Sequence, residues 1–144
     1  MKNVAWVFLL LLPCSVFADE LRLFTTDGCS AFPDGTSEQR SLWAECCIRH
    51  DLAYWMGGTS DERKQADQEL KVCVAQVGEP DIAKLMLAGV RVGGHPYWPT
   101  PFRWGYGWPY PRSYGLLSES EKQQVKDRLK DFKLLVDTLS EEQK

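Results

Sequence analysis

Two adjacent cysteines, Cys46 and Cys47, stand inside a stretch from Glu38 to Trp55 that holds no Gly or Pro and many good helix formers. On a helix, residues four apart share a face. Cys46, His50 and Tyr54 therefore make one stripe, and Cys47 and Asp51 make the stripe beside it. Adjacent cysteines do not readily bond each other, so each must reach a different part of the chain. His50 and Asp51 point away from each other by about 100°. They cannot form a simple ion pair, so each serves a different partner.

Whether these cysteines oxidise depends on the compartment. Lys2, the apolar run from Val4 to Phe17 and the segment Val16-Phe17-Ala18 have the make-up of a secretory signal peptide, residues 1–18. A membrane anchor is the weaker reading: the run contains Pro13 and is shorter than the roughly 20 apolar residues that span a bilayer. A lipoprotein signal at Cys14 is a poor match, because Pro13 stands where a small residue belongs. Cleavage after Ala18 removes Cys14 and leaves Cys29, Cys46, Cys47 and Cys73. Four cysteines in an exported chain suggest two disulfides, with three possible connectivities. A zinc site built from these cysteines and His50 is the rival, and an oxidising compartment disfavours it.

The same cleavage removes Lys2 and leaves 16 Lys and Arg against 20 Asp and Glu, a net charge of −4. That balance argues against nucleic acid as a partner. It also gives no overall electrostatic reason to bind anionic membranes strongly. At 144 residues with 44% hydrophobic side chains, the chain has the size of one small domain.

Residues 27–36, Asp27 to Thr36, read as a loop, since Asp-Gly and Pro-Asp-Gly are turn chemistry. The loop is either an ordinary turn or a carbonyl-lined cradle for a hard cation. A first long helix is expected from Ser37 to Trp55, ending at Gly57-Gly58. A second is expected from Thr59 to Val77, opened by a capping box to Glu62. The short link makes the two antiparallel neighbours. If Cys46 bonds Cys73, two turns along each helix bring Ala53 opposite Ala66 and set Asp67 near the level of His50 and Tyr54. Asp67 is then either a hydrogen-bond acceptor for His50 or a solvated helix residue.

A third helix is expected from Glu79-Pro80-Asp81 to Val90. His95 to Gly115 then carries eight aromatic residues broken by five prolines, which forbids a long helix and makes strand ladders improbable. A strap packed across the helices is the favoured reading, and a lipid-contacting flap is the other. A last amphipathic helix, residues 118–144 at most, carries the stripe Val125, Leu129, Phe132, Val136 and Leu139. This stripe suits packing on the domain or a helix-mediated protein partner through residues 118–139.

The pattern Cys-Cys-x-x-His-Asp-x-x-Tyr from Cys46 to Tyr54 resembles the active-site helix of the secreted phospholipase A2 superfamily. The resemblance covers Asp27 to Val77 and is nearest to compact microbial members. It implies His50 as general base, Asp67 as the carboxylate that orients it, and Tyr54 as the hydrogen-bond donor to Asp67. It implies calcium on Asp51 and the carbonyls of Gly28, Ser30 and Phe32, with the Ser30 N–H assisting the oxyanion. It implies the disulfides Cys29–Cys47 and Cys46–Cys73. A further interhelical disulfide of many members falls on Ala53 and Ala66, so both its cysteines are replaced together. The glycine-dense calcium loop of the family is replaced here by Ser30-Ala31-Phe32-Pro33-Asp34-Gly35.

The expected fold is all-α: a disulfide-linked antiparallel helix pair of phospholipase A2 type in residues 19–117, with the aromatic, Pro-rich loop and further C-terminal helices. The expected function is that of an exported, periplasmic or secreted, calcium-dependent hydrolase of glycerophospholipid acyl esters, acting at a phospholipid membrane or micelle surface. The alternatives are a non-catalytic exported lipid- or protein-binding scaffold and a structural envelope protein.

Overall fold

The helix that carries the paired cysteines, α1, spans Ala44–Met56 and is shorter at its start than the helix-forming stretch around it. Residues 36–43 form turns instead. The Thr36 N–H bonds Gln39 O at 3.0 Å, and the Leu42 N–H bonds the same oxygen at 3.1 Å. Trp43 explains the change. Its backbone N–H donates to Asp34 O at 3.0 Å and its indole N–H to Pro33 O at 2.6 Å. Helix propensities differ by at most about 0.7 kcal/mol per ordinary residue. Burying one large aromatic against the loop outweighs them.

The computed structural model describes residues 20–142, with side chains in the last helix as far as Leu134. The expected signal peptide, residues 1–18, lies outside the described residues. Thr59 caps the second helix, α2 (Ser60–Gln76), through a complete capping box with Glu62. Pro80 opens α3 (Pro80–Gly93), which continues one turn past Val90. The final helix, α4 (Glu119–Glu142), starts with Ser118 and Glu121 satisfying each other's backbone N–H groups at 3.3 and 2.7 Å. No strand occurs among the described residues. None of the helices described is long and apolar enough to cross a membrane.

Two disulfides, Cys29–Cys47 and Cys46–Cys73, tie the loop to α1 and α1 to α2. All four cysteines are thus consumed, which excludes the zinc alternative. The α1–α2 pair is antiparallel. Cys46 meets Cys73, His50 meets Asp67, and Ala53 and Ala66 border one narrow groove between the helices. Trp43, Leu70, Val74, Ala83 and Met86 fill the space that α1, α2 and α3 share. A second cluster joins Leu21, Trp55, Trp108 and Val125.

The aromatic segment resolves into two parts. Residues 103–108 are a buried strap over the C-terminal end of α1. The last carbonyls of a helix have no partner within it. Here Tyr54 O accepts from Gly105 N at 2.6 Å, Trp55 O from Gly107 N at 3.2 Å, and Met56 O from the Trp108 indole at 2.7 Å. A Cβ on Gly107 would lie 2.6 Å from Trp55 O, so only glycine permits this approach. Tyr97, Trp98, Phe102 and Tyr110 stay exposed outside the strap. On α4, Val125 and Leu129 pack on the second cluster, and Phe132 meets Phe24 edge-on at 5.6 Å. The side chains of Val136 and Leu139 lie outside the described residues.

Candidate active site

Asp67 is fully buried, and a buried carboxylate is costly unless it is paired. Its partners come from the two helices that flank α2. On α1, the Tyr54 hydroxyl donates to Oδ1 at 2.6 Å, and His50 Nε2 lies 3.0 Å from the same oxygen. From α3, Arg91 Nε stands 3.0 Å from Oδ2 as a charge contact, without the N–H aim of a hydrogen bond. Tyr54 in turn accepts from Arg63 Nε at 3.0 Å. Burial, and then the Asp67 charge, hold the Tyr54 hydroxyl far above its ordinary range, so it remains a donor. With Asp67 as acceptor, the His50 proton sits on Nε2 and the Nδ1 lone pair is left free to act as a base.

The loop that faces this helix is held by its own side chains. The Cys29 N–H donates to Asp34 Oδ1 at 2.8 Å. A Cβ on Gly28, at φ 76°, would collide with that carboxylate. Ser30 has φ 54°, a left-handed conformation uncommon outside glycine, and its hydroxyl donates to Asp27 at 2.9 Å. The Thr26 hydroxyl donates to Asp51 Oδ2 at 2.6 Å and accepts from Gly28 N–H at 3.1 Å.

A cavity of about 500 Å³ runs from His50, Asp51, Gly28, Ser30 and Phe32 outward between apolar walls of α3. A smaller cavity of about 230 Å³ shares Asp51 and Ser30 with it and is bordered by Thr26, Asp27 and Tyr106. Every residue singled out for chemistry in the sequence thus lines one cavity or, like Asp67, stands directly behind it. Among the described residues, no three His, Cys, Asp or Glu side chains converge on a metal position. Thr26, Asp27 and Ser30, which share the smaller cavity with Asp51, carry side-chain oxygens, the donor type that hard cations take.

Asp51 is 9% exposed. Burial lifts its pKa to about 6, against the pull of the Thr26 hydrogen bond and His50, and Asp27 and Asp34 add to the rise. The folded metal-free protein thus holds the Asp51 proton more tightly than the unfolded chain does. Its contribution to stability is present below the unfolded value near 3.8 and is lost as pH rises through about 6. Asp51→Asn, in chelator at pH 8, is therefore expected to raise the melting temperature, by an amount equivalent to at most about 3 kcal/mol. Thermal denaturation at pH 5 and pH 8 checks the sign, since the gain should shrink at the lower pH.

No family model, curated protein or solved structure matches this chain.

Three contributors escaped the sequence reading: Thr26, Arg63 and Arg91. Arg63 had a signal, because it stands four residues before Asp67 on the same face of α2. It spans Tyr54, Tyr114 and the carbonyls of Val90 and Arg91, fastening the end of α3 to the site. Arg91 had none, since its role depends on how α3 docks.

Proposed function

We propose that this chain is an exported, calcium-dependent, phospholipase A2-like hydrolase that cleaves an acyl ester of a glycerophospholipid at a membrane or micelle surface. The observation that carries the reading is the buried relay from Tyr54 through Asp67 to His50, ending at a cavity with apolar walls. Those walls suit an acyl chain. The disulfide-linked antiparallel pair α1–α2, with Asp67 six residues before Cys73, supports the phospholipase A2 type of arrangement.

In this reading His50 keeps its Nε2 proton on Asp67 and takes a proton from water at Nδ1. The water oxygen bonds to the ester carbonyl carbon. The bond from that carbon to the glycerol oxygen then breaks, and His50 returns the proton to the departing alkoxide. The products are a fatty acid and a lysophospholipid. Asp51 and the carbonyls of Gly28, Ser30 and Phe32 would hold calcium, and the surplus of acidic charge at Asp27, Asp34 and Asp51 favours a cation there. When bound, calcium supplies positive charge that polarises the ester carbonyl. The Ser30 N–H is the protein's own donor for the developing oxyanion.

One observation favours the alternative, a non-catalytic lipid- or protein-binding scaffold. Thr26 already occupies one Asp51 oxygen, and Asp34 braces the loop from inside, so the loop has internal supports that do not require a metal. Calcium titration followed by tryptophan fluorescence, paired with fatty-acid release from phospholipid vesicles, separates the two. Saturable calcium binding and hydrolysis abolished by chelation are expected. If the correctly oxidised protein neither binds calcium nor releases fatty acid, the scaffold reading replaces the enzyme. Hydrolysis that survives chelation would keep His50 as base and remove the calcium role.

A further inference from the structure

A groove of about 860 Å³ opens on another face, between the N-terminal segment, the strap and α4. Three arginines border it: Arg22, Arg103 and Arg128. Arg128 is paired with Glu20 at 2.9 Å, the one acidic side chain on the same lining. The other two have no carboxylate partner among the described residues. Arg103 is only 2% exposed and donates to Gly105 O at 2.8 Å and Trp108 O at 2.7 Å. Arg22 donates to Tyr106 O at 3.0 Å and to the same Trp108 O at 3.2 Å.

Carbonyl oxygens satisfy N–H groups but do not neutralise charge. Two guanidinium groups donate to one oxygen, so two positive charges stand close together, with Arg103 buried and Arg22 exposed. Burial, and then Arg22, pull the Arg103 pKa below its ordinary range. Thr100, on the same lining, has a buried hydroxyl with no partner. The remaining walls are apolar and open: Leu23 is 63% exposed, with Pro99 and Pro101 opposite on the lining. In a chain of net charge −3, this is a local inversion of sign joined to apolar surface.

We propose that the groove binds a phosphomonoester amphiphile, with its phosphate on the exposed Arg22 over the buried charge of Arg103 and its hydrocarbon lying along Leu23, Pro99 and Pro101. A phosphomonoester carries close to two negative charges at neutral pH and matches two uncompensated guanidinium groups, whereas a carboxylate would leave one unmatched. The groove does not depend on the proposed hydrolysis. Tyr106, Thr25 and Pro101 form the partition between it and the acidic cavity beside Asp51.

The test uses the full oxidised protein in chelator, at pH 8 and low ionic strength, so calcium chemistry is silent. Hexyl phosphate has no acyl ester to cleave, and its binding is followed by calorimetry against inorganic phosphate, hexanoate and hexanol. Saturable binding of hexyl phosphate is expected, at least about tenfold tighter than inorganic phosphate or hexanoate, with none for hexanol. Arg22→Gln is expected to weaken it by about tenfold or more. Leu23→Glu adds a negative charge at an exposed apolar wall without removing a hydrogen bond, and should weaken it comparably while the melting temperature holds. Hexanol or hexanoate binding as tightly as hexyl phosphate would overturn the proposal. So would inorganic phosphate binding as tightly as hexyl phosphate, or both variants binding like the wild type.

Discussion

His50→Gln is expected to lower hydrolysis of phospholipid vesicles by about 10²- to 10⁴-fold while calcium still binds. Glutamine can donate to Asp67 as the imidazole does, so the relay keeps its shape, but it offers no base on the cavity side. Asp51→Asn should behave differently. It removes the one charged ligand proposed for calcium, so binding and hydrolysis should fall together even as the metal-free protein gains stability. Asp67→Asn should weaken activity less than His50→Gln, because His50 remains and only its orientation and charge support are lost. Rates, calcium affinity and melting temperature are measured on the same preparations. A purely structural explanation requires activity to follow melting temperature across the three variants. The catalytic reading requires Asp51→Asn to break that correlation.

The second large effect concerns the strap. Trp108 is fully buried and donates to the carbonyl of Met56, and Trp104 is buried with its indole on Gly58 O at 2.9 Å. Truncating either to alanine should cost about 3–5 kcal/mol, the scale for large aromatics in cores. Against a typical total of about 5–15 kcal/mol, that loss is severe. A fall in melting temperature of roughly 10 °C or more is expected. Trp98→Ala is the control: this side chain is 56% exposed, so stability should barely change. Equal destabilisation by Trp98→Ala and Trp108→Ala would contradict the division of the segment into a buried strap and an exposed fringe.

Local rules read much of this architecture directly from the sequence. The capping box at Thr59, proline in the first turn of α3 and the two-glycine link each act over a few residues, and they appear where the sequence places them. Given the Cys46–Cys73 bond that the resemblance implied, two turns along each helix set Asp67 near the level of His50, and 3.0 Å separates their polar atoms. The misreading at residues 37–43, expected as helix and found as turns, has a different cause. Trp43 there is drawn to Pro33 and Asp34, and no helix-periodic pattern records that attraction. Arg91 and Thr26 were illegible for a related reason. Each meets a site residue at least 24 positions away, and nothing in the intervening spacing specifies the contact.

The strap and the crosslinks draw on different stretches of the chain. The four bonded cysteines all lie within residues 29–73. The carbonyls of Tyr54, Trp55 and Met56 find their donors only in residues 105–108. Without those donors the final turn of α1, which carries Tyr54, would have unpaired carbonyls and would fray more readily. Covalent closure therefore draws only on residues up to Cys73, whereas the backbone support of Tyr54 draws on the strap. A chain cut before residue 105 would keep every cysteine of both crosslinks and lose the donor to Tyr54 O, and with it a support of the relay to Asp67 and His50. Crosslinking and the bracing of the site are thus separable in this molecule, because they rest on different stretches of chain.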